Sequence, residues 1–441
     1  MSKKLFMFVM ILSLLLIAAS PMAPNVVPPG PSGTFGSAFT IQNLSAVIAT
    51  CAYSFYNTAG TVVYSSASFT IAANGSNFTY VPNIGSLAGG QYSGVVSCDQ
   101  QVSAVVNTGS TMSGGSYDAI ATTATTWYAP AAYNNYFNYY TNFVVQNATS
   151  SPIDMTLQVI NGSGAVVATQ TATGVPAFAY HNFEQAGLSG LSANANYSAI
   201  ITGTGAIAVE SNIYGQGTVN NELYSFGPFT GGATTAYVPS IMNNYFGYLT
   251  SLTVQNLGGI AADVTVTYGT GLVQTHTINP SASFVFYTPA SGLPSGILTS
   301  AKITSTQNIV AIVNEQNSYR RAASYTAFAS GSLNVSLPIA MKRYFNYSTS
   351  VTCQNVGASP TNMTITYSNA ATSVKNSIPV NGTALFYQPN EAGLPNGFNG
   401  SAMVTSSGEP IVCVTNEDQN EGTLATTSMD QLFSYEGFVA P

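Results

Sequence analysis

The sequence predicts an all-β protein: four tandem Ig-like antiparallel β-sandwich domains after an N-terminal signal peptide. A Gln-Asn pair ends a strand-like segment at Gln42, Gln146, Gln255 and Gln354, and the steps between these glutamines are 104, 109 and 99 residues. A period of this length matches a whole small domain. Apolar and polar residues alternate with period two between Gly, Asn and Pro, which indicates roughly seven short strands per repeat. A small barrel is the main structural alternative.

The chain begins with the pattern of a signal peptide. Lys3 and Lys4 precede an apolar run from Leu5 to Ala19, which is too short for a membrane-spanning helix. We therefore expect cleavage near residues 19–23 and a secreted protein, extracellular or on the cell surface, with no transmembrane anchor of its own. The expected segments are a signal peptide at 1–23, repeat 1 with a Pro-rich tether at 24–125, repeat 2 at 126–233, repeat 3 at 234–333 and repeat 4 at 334–441.

Repeat 2 shows the predicted order of elements. Strands are expected at 143–146, 155–160, 165–168, 197–201 and 207–210, with a hairpin turn at 161–164 and a closing aromatic strand at 224–226. The closing position of the four repeats is assigned to Tyr117, Tyr224, Tyr325 and Tyr435.

A Tyr-Phe-x-Tyr segment opens repeats 2, 3 and 4, and repeat 1 lacks it. Its members are Tyr136, Phe137, Tyr139, Tyr245, Phe246, Tyr248, Tyr344, Phe345 and Tyr347. Sugars stack on aromatic faces, so one interpretation is a carbohydrate-binding platform. The favoured interpretation is structural: the rings fill the core and the junction with the preceding repeat.

Four cysteines lie in the two terminal repeats. Cys51 and Cys98 belong to repeat 1, and Cys353 and Cys413 belong to repeat 4. Two cysteines per terminal repeat predict one disulfide within each, in an oxidising compartment, and buried free thiols are the alternative.

Few residues carry charge. Lys and Arg number 8 and Asp and Glu 15, so no basic stripe is available for nucleic acid. No cofactor is expected, apart from a weak possibility of Ca²⁺ near Glu417, Asp418 and Glu421, where a solvated loop is the favoured interpretation. No motif for a catalytic nucleophile, phosphate or zinc occurs, which predicts a protein that is not an enzyme.

The repeats resemble the tandem Ig-like repeats of prokaryotic cell-surface proteins. The motifs that carry this resemblance in repeat 3 are Pro239, Tyr245-Phe246, Val254-Gln255-Asn256, Gly292-Leu293-Pro294 and Ser300-Ala301-Lys302-Ile303. The resemblance implies an extracellular structural or adhesive role.

The main functional hypothesis is therefore a non-enzymatic structural protein: a stalk, filament or surface-layer subunit. The rival is an adhesin or carbohydrate-binding protein that uses the aromatic segments or the inter-strand loops. Expected partners are other copies of the chain, cell-surface proteins or glycans. Because repeat 1 lacks the aromatic opening segment, its sheet edge is completed either by residues 33–38 or by a strand from another molecule.

Overall fold

A computed structural model of the chain describes residues 33–215, 221–419 and 430–440. The predicted signal peptide lies outside the described residues, as does the tether up to residue 32. The regular secondary structure of the described chain is antiparallel β-strand apart from three short 3-10 helices, Val81–Asn83, Thr288–Ala290 and Gln388–Asn390, which confirms the all-β fold class. No helix in the described ranges is long and apolar enough to cross a membrane.

The strands form four successive groups, and each described strand pairs only within its own group. We call the groups unit 1 (residues 36–118), unit 2 (124–226), unit 3 (233–326) and unit 4 (334–439). Unit 1 contains β1 Gly36–Asn43, β2 Ala49–Tyr56, β3 Val62–Ser65, β4 Phe69–Ile71, β5 Ser76–Tyr80, β6 Ser93–Cys98, β7 Val102–Gly109 and β8 Gly114–Asp118. One of its sheets has the order β5-β1-β7-β8, and in the other β2 pairs with β3, β4 and β6.

Units 2 and 3 each contain seven strands. Those of unit 2 are β9 Ala124–Asn134, β10 Tyr139–Asn147, β11 Ile153–Ile160, β12 Val166–Val175, β13 Tyr180–Glu184, β14 Ala195–Gly215 and β15 Leu223–Phe226. Those of unit 3 are β16 Ala233–Tyr245, β17 Tyr248–Asn256, β18 Ala262–Tyr268, β19 Val273–Ile278, β20 Ser283–Tyr287, β21 Ile297–Asn317 and β22 Ala322–Thr326. The separate strands expected at 197–201 and 207–210 are one continuous strand, β14, which pairs with strands on both sides of residue 205.

Unit 4 repeats this pattern with nine strands. They are β23 Asn334–Lys342, β24 Tyr347–Asn355, β25 Thr361–Tyr367, β26 Thr372–Ile378, β27 Thr383–Tyr387, β28 Phe398–Ser406, β29 Ile411–Gln419, β30 Leu432–Glu436 and β31 Phe438–Val439. The first strand of units 2, 3 and 4 (β9, β16 and β23) is called the opening strand, and the closing strands are β8, β15, β22 and β30.

Each unit has its own apolar core, built by alternation along the strands. In β11, for example, Met155, Leu157 and Val159 are fully buried, whereas Asp154, which lies between the buried Ile153 and Met155, is exposed. Alternation of this kind places one face of a strand in the core and the other towards solvent.

The Asn of each Gln-Asn pair fastens a loop inside its own unit. Asn43, Asn147, Asn256 and Asn355 are all completely buried. In unit 3, Asn256 Nδ2 donates to the carbonyl oxygens of Ile260 at 2.8 Å and Ile278 at 3.0 Å, and its Oδ1 accepts from the Gly258 N–H at 2.7 Å. A buried amide that satisfies otherwise unpaired backbone groups explains why this residue recurs in every repeat.

One serine of each unit donates its hydroxyl hydrogen bond to a carbonyl oxygen of the next unit. The four bonds run from Ser93 to Phe178 (2.6 Å), from Ser198 to Ser281 (2.5 Å), from Ser300 to Asn381, and from Ser401 to Asn74 (3.2 Å). The last bond joins unit 4 to unit 1. The four units therefore form a closed ring. In an extended string of domains, the last unit would not contact the first.

The closing strands pack against one another around the axis of this ring: β15 and β30 each contact β8 and β22, and β8 and β22 also contact each other. Ser116, Ser225, Ser324 and Ser434 occupy the same register position, opposite Asn107, Asn212, Asn314 and Asn416. The counterpart of Tyr117, Tyr325 and Tyr435 in unit 2 is therefore Phe226, and the assignment of Tyr224 to that position was wrong by two residues. Gly115 lets β8 approach β15, because a Cβ there would lie 2.6 Å from Ser225 Oγ.

Candidate interaction sites

The Tyr-Phe-x-Tyr segments are β-hairpin tips in all three units that carry them. In unit 3, Tyr245 and Tyr248 pair across a two-residue turn made by Phe246 and Gly247. Units 2 and 4 have the same bridge, Tyr136 with Tyr139 and Tyr344 with Tyr347. Both turn residues have positive φ in each tip, as a type I′ turn requires. We call these three turns the aromatic tips.

The phenylalanine of each tip is exposed and has an unfavourable backbone conformation. Phe137, Phe246 and Phe345 are 73%, 78% and 77% exposed, with φ of 52°, 49° and 47°. A bulky residue rarely adopts positive φ, and Asn or Gly is the usual choice at this position of a type I′ turn. The interpretation that these rings fill the core is therefore wrong for the three phenylalanines.

The tyrosines of the tips have the packing role instead. Each is half-buried, and the first tyrosine of every tip holds the Phe ring edge-on, with ring centroids 4.7 Å apart. The second tyrosine points towards the ring axis: Tyr248 donates to Asp418 Oδ2 of unit 4 at 3.1 Å, and Tyr347 donates to Gln431 Oε1 at 2.6 Å. The sequence-predicted aromatic residues thus divide into structural tyrosines and exposed phenylalanines.

Carboxyl groups that the sequence analysis did not single out lie around the axis. Asp430 is completely buried and accepts hydrogen bonds from the backbone N–H groups of Leu223, Ala322 and Leu432, which ties together three closing strands. Burial raises the pKa of Asp430 well above its usual range. The position of this residue between the described strands follows from the ring, so no local sequence pattern could have indicated it.

Two buried glutamates lie at the junctions between units. Glu315 accepts from Ser240 Oγ at 2.9 Å and from Asn416 Nδ2 of unit 4 at 2.6 Å. Glu417 accepts from Asn107 Nδ2 of unit 1 at 3.1 Å. Burial raises the pKa of each glutamate to about 7. The hydrogen bonds lower the pKa, but the effect of burial is larger.

A cleft of about 300 Å³ opens at one end of the axis. The residues that follow the closing aromatic position in the four units, Asp118, Gly227, Thr326 and Glu436, all line it, together with Trp127 and Phe229. Burial raises the pKa of both carboxyl groups, and the nearby Glu436 carboxylate raises that of Asp118 further. The Glu436 carboxylate therefore disfavours the ionised form of Asp118.

The acidic segment suggested for Ca²⁺ is not a loop in its described part. Glu417 and Asp418 belong to β29, which extends to Gln419. Glu417 points towards Asn107, and Asp418 is paired with Arg321 and Tyr248. Glu421 lies outside the described residues, and among the described ones no group of three or more His, Cys, Asp or Glu side chains could hold a metal. The expectation of no cofactor, with Ca²⁺ as a weak possibility, is not tested by these observations.

The cysteines form two disulfides, Cys51–Cys98 and Cys353–Cys413. Each links directly opposite residues of two neighbouring strands, β2 with β6 and β24 with β29. Both disulfides lie within one unit and close 47 and 60 residues of sequence. Such bonds are typical of an oxidising compartment.

Comparisons with known proteins give similarity at the level of structure only. No protein-family model and no curated protein sequence matches the chain. Among solved structures, it is similar to Thermotoga maritima 1070, with 19% identity, a TM-score of 0.20, and coverage of 22% of this chain and 94% of that one. The Anabaena sensory rhodopsin transducer matches with 16% identity, a TM-score of 0.15, and coverage of 18% and 92%. A serine-rich repeat adhesion glycoprotein of Streptococcus agalactiae matches with 9% identity, a TM-score of 0.13, and coverage of 52% and 89%.

Proposed function

We propose that this protein is a non-enzymatic, exported adhesin or carbohydrate-binding protein whose three aromatic tips contact the ligand. The observation that carries the proposal is the exposure of Phe137, Phe246 and Phe345 at equivalent positions. Each ring remains exposed in a backbone conformation that Asn or Gly would adopt at lower cost. Backbone strain kept at the same exposed site in three units supports a functional role, because nothing in the fold requires a Phe there.

The chemistry of the tips suits a neutral, hydroxyl-rich ligand. In the sequence, Asn135 and Asn138 flank Phe137, Asn244 precedes the tip of unit 3 and Asn346 follows Phe345, so each tip has an asparagine within two residues of its Phe. A sugar offers an apolar C–H face to an aromatic ring and hydroxyl groups to neighbouring amides. The low charge of the chain, with 5% charged residues, favours such a ligand over a polyanion.

Three tips on one ring would bind a repetitive surface by multivalency. Weak individual contacts combine when the sites are held in fixed positions, so overall affinity can exceed that of one site by roughly 10²–10⁴. We therefore expect selective retention on a polymer or a cell surface and weak binding to a single monosaccharide.

The test is a glycan array and a polysaccharide pull-down with the variant Phe137→Asn/Phe246→Asn/Phe345→Asn. Asn suits the turn, so the variant should stay folded and lose at least tenfold in binding. The matched control is Val166→Thr/Val273→Thr/Val374→Thr, which changes one exposed apolar residue in each of the same units. Binding that persists in the Phe variant, or a wild-type protein that binds no glycan, would refute the proposal.

A structural subunit of a surface layer or filament is the second candidate. The sheet edge of unit 1 that no described strand covers is the observation that favours it, because an edge left open supports association between molecules. Light scattering distinguishes this candidate: a subunit should form larger particles as its concentration rises, and a binding protein should remain monomeric.

A further inference from the structure

Unit 1 lacks, within the described residues, the opening strand that the other three units have. In units 2, 3 and 4 the opening strand pairs with the strand that contains Ser198, Ser300 or Ser401. The equivalent strand of unit 1 is β6, which contains Ser93 and pairs with β2 alone among the described strands. Val96 of β6 is 38% exposed, whereas its counterparts Ile201, Ile303 and Val404 are 0% exposed.

The neighbouring face of unit 2 is open at the same place. An opening strand also packs against the next unit: β16 contacts β24 and β29 of unit 4, and Thr383 Oγ1 donates to Pro239 O at 2.8 Å. The residues that an opening strand covers on the next unit are nearly fully buried. Examples are Thr253 and Ile312 of unit 3 and Thr352 and Val414 of unit 4. In unit 2 the corresponding residues, Val144 and Glu210, are only half-buried.

These two observations define a groove between units 1 and 2 with the shape of one missing strand. We call it the strand groove. Its sides are the free edge of β6 and the face formed by Val144, Gln146, Ala208 and Glu210.

The sequence outside the described residues contains a segment that matches the opening strands. Pro130, Pro239 and Pro338 each stand 16 residues before the Gln of a Gln-Asn pair, and Pro28 stands 14 residues before Gln42. The preceding Val26-Val27 corresponds to Tyr128-Ala129, Tyr237-Val238 and Ser336-Leu337. The spacing in unit 1 is thus two residues shorter than in the other units. This difference equals the length of the two-residue turn of an aromatic tip, and unit 1 lacks such a tip.

We propose that residues 24–28 of this chain bind in the strand groove as the opening strand of unit 1. The connection is long enough, because the eight residues from Pro28 to Gly36 can extend to about 26 Å at ~3.3 Å each, and packed sheets are only ~10 Å apart. Proline is compatible with this position, since a register shift follows Val238 and Leu337 at the prolines of units 3 and 4. Residues 36–38 do not fill the groove, because they pair with Asn107–Gly109 in the other sheet. The expectation that residues 33–38 complete this edge is therefore wrong for residues 36–38.

Cysteine cross-linking in the full chain tests the proposal. By analogy with Tyr128 opposite Ile200 and Tyr237 opposite Lys302, Val26 should lie opposite Val95. The variant Val26→Cys/Val95→Cys should form a disulfide within one molecule, mapped by mass spectrometry without reduction. The control Val26→Cys/Val62→Cys places the second cysteine on β3, at the far edge of the same sheet, and should not.

Hydrogen exchange on the chain with native cysteines gives a second, independent readout. The backbone amide of Val96, whose N–H faces the open edge of β6, should exchange at least tenfold more slowly in the native chain than in the variant Val26→Asp/Val27→Asp. A cross-link only between two molecules would show that a second copy fills the groove, and would overturn the proposal. Equal exchange in both proteins, or no cross-link at all, would overturn it as well.

Discussion

Ser401 donates its side-chain hydrogen bond to the carbonyl oxygen of Asn74, and 327 residues of sequence separate the two. Three equivalent bonds join the other units in chain order, and this fourth one joins the last unit to the first. Val105 of unit 1 also packs into the apolar core of unit 4. The closed ring therefore depends on contacts between the most distant parts of the described chain.

Replacing Ser401 with Ala should lower the free energy of unfolding by roughly 1 kcal/mol, because the part-buried hydrogen bond from the Ser401 hydroxyl to the Asn74 carbonyl oxygen is lost. Urea denaturation measures the effect. The control is Ser330→Ala at an exposed position, where the change should stay within about 0.5 kcal/mol. Equal stability of the Ser401 variant and the wild type would show that this bond does not hold the ring closed.

Replacing Asn256 with Ala should be more damaging, with a loss of roughly 2–4 kcal/mol, because the carbonyls of Ile260 and Ile278 would both lose the donor that the buried Asn256 amide supplies. Asn308→Ala, on the exposed side of β21, is the matched control. Thermal unfolding compares the two variants. A smaller loss in the Asn256 variant than in the control would contradict the role assigned to the repeated Asn.

Replacing Phe246 with Asn should raise the free energy of unfolding by about 1 kcal/mol, because Asn tolerates the positive φ of this turn better than Phe. Phe246→Ala should change stability little, since the ring is exposed. The melting temperatures of both variants are the measurement. A large loss of stability in either variant would show that the Phe246 side chain has a packing role.

Stability should fall as the pH rises from about 5 to 8. Burial raises the pKa of Glu315 and Glu417 to about 7 in the folded protein, above the value near 4.5 of an exposed glutamate. The folded state thus binds protons more tightly, so this stabilisation is complete below the unfolded pKa and is lost as the pH passes the folded one.

The variant Glu315→Gln/Glu417→Gln should flatten this pH profile, because the amide resembles the protonated acid and does not titrate. Denaturant unfolding at several pH values gives the slope directly. A wild-type stability that increases across this range, or an unchanged slope in the variant, would refute the assignment.

Local features of the fold could be predicted from the sequence. Alternation gave the strands of each repeat, and Asn161–Gly164 forms the expected turn before β12. The exposed Phe residues were missed because hydrophobicity favours burial, and only the Asn or Gly after each Phe indicated a type I′ turn. The ring was missed because the repeated Ser-Ala motif that contains Ser300 and Ser401 indicates a strand and does not indicate which unit the serine contacts.

The ring axis shows what a single chain permits that four identical subunits would not. In an assembly of four copies, each axial position would carry the same residue four times, and four carboxyl groups at the cleft would repel one another strongly. Here the four positions hold Asp118, Gly227, Thr326 and Glu436. Joining the repeats covalently lets each quarter of the axis evolve separately, so an acidic pair can face a glycine and a threonine in an asymmetric cleft.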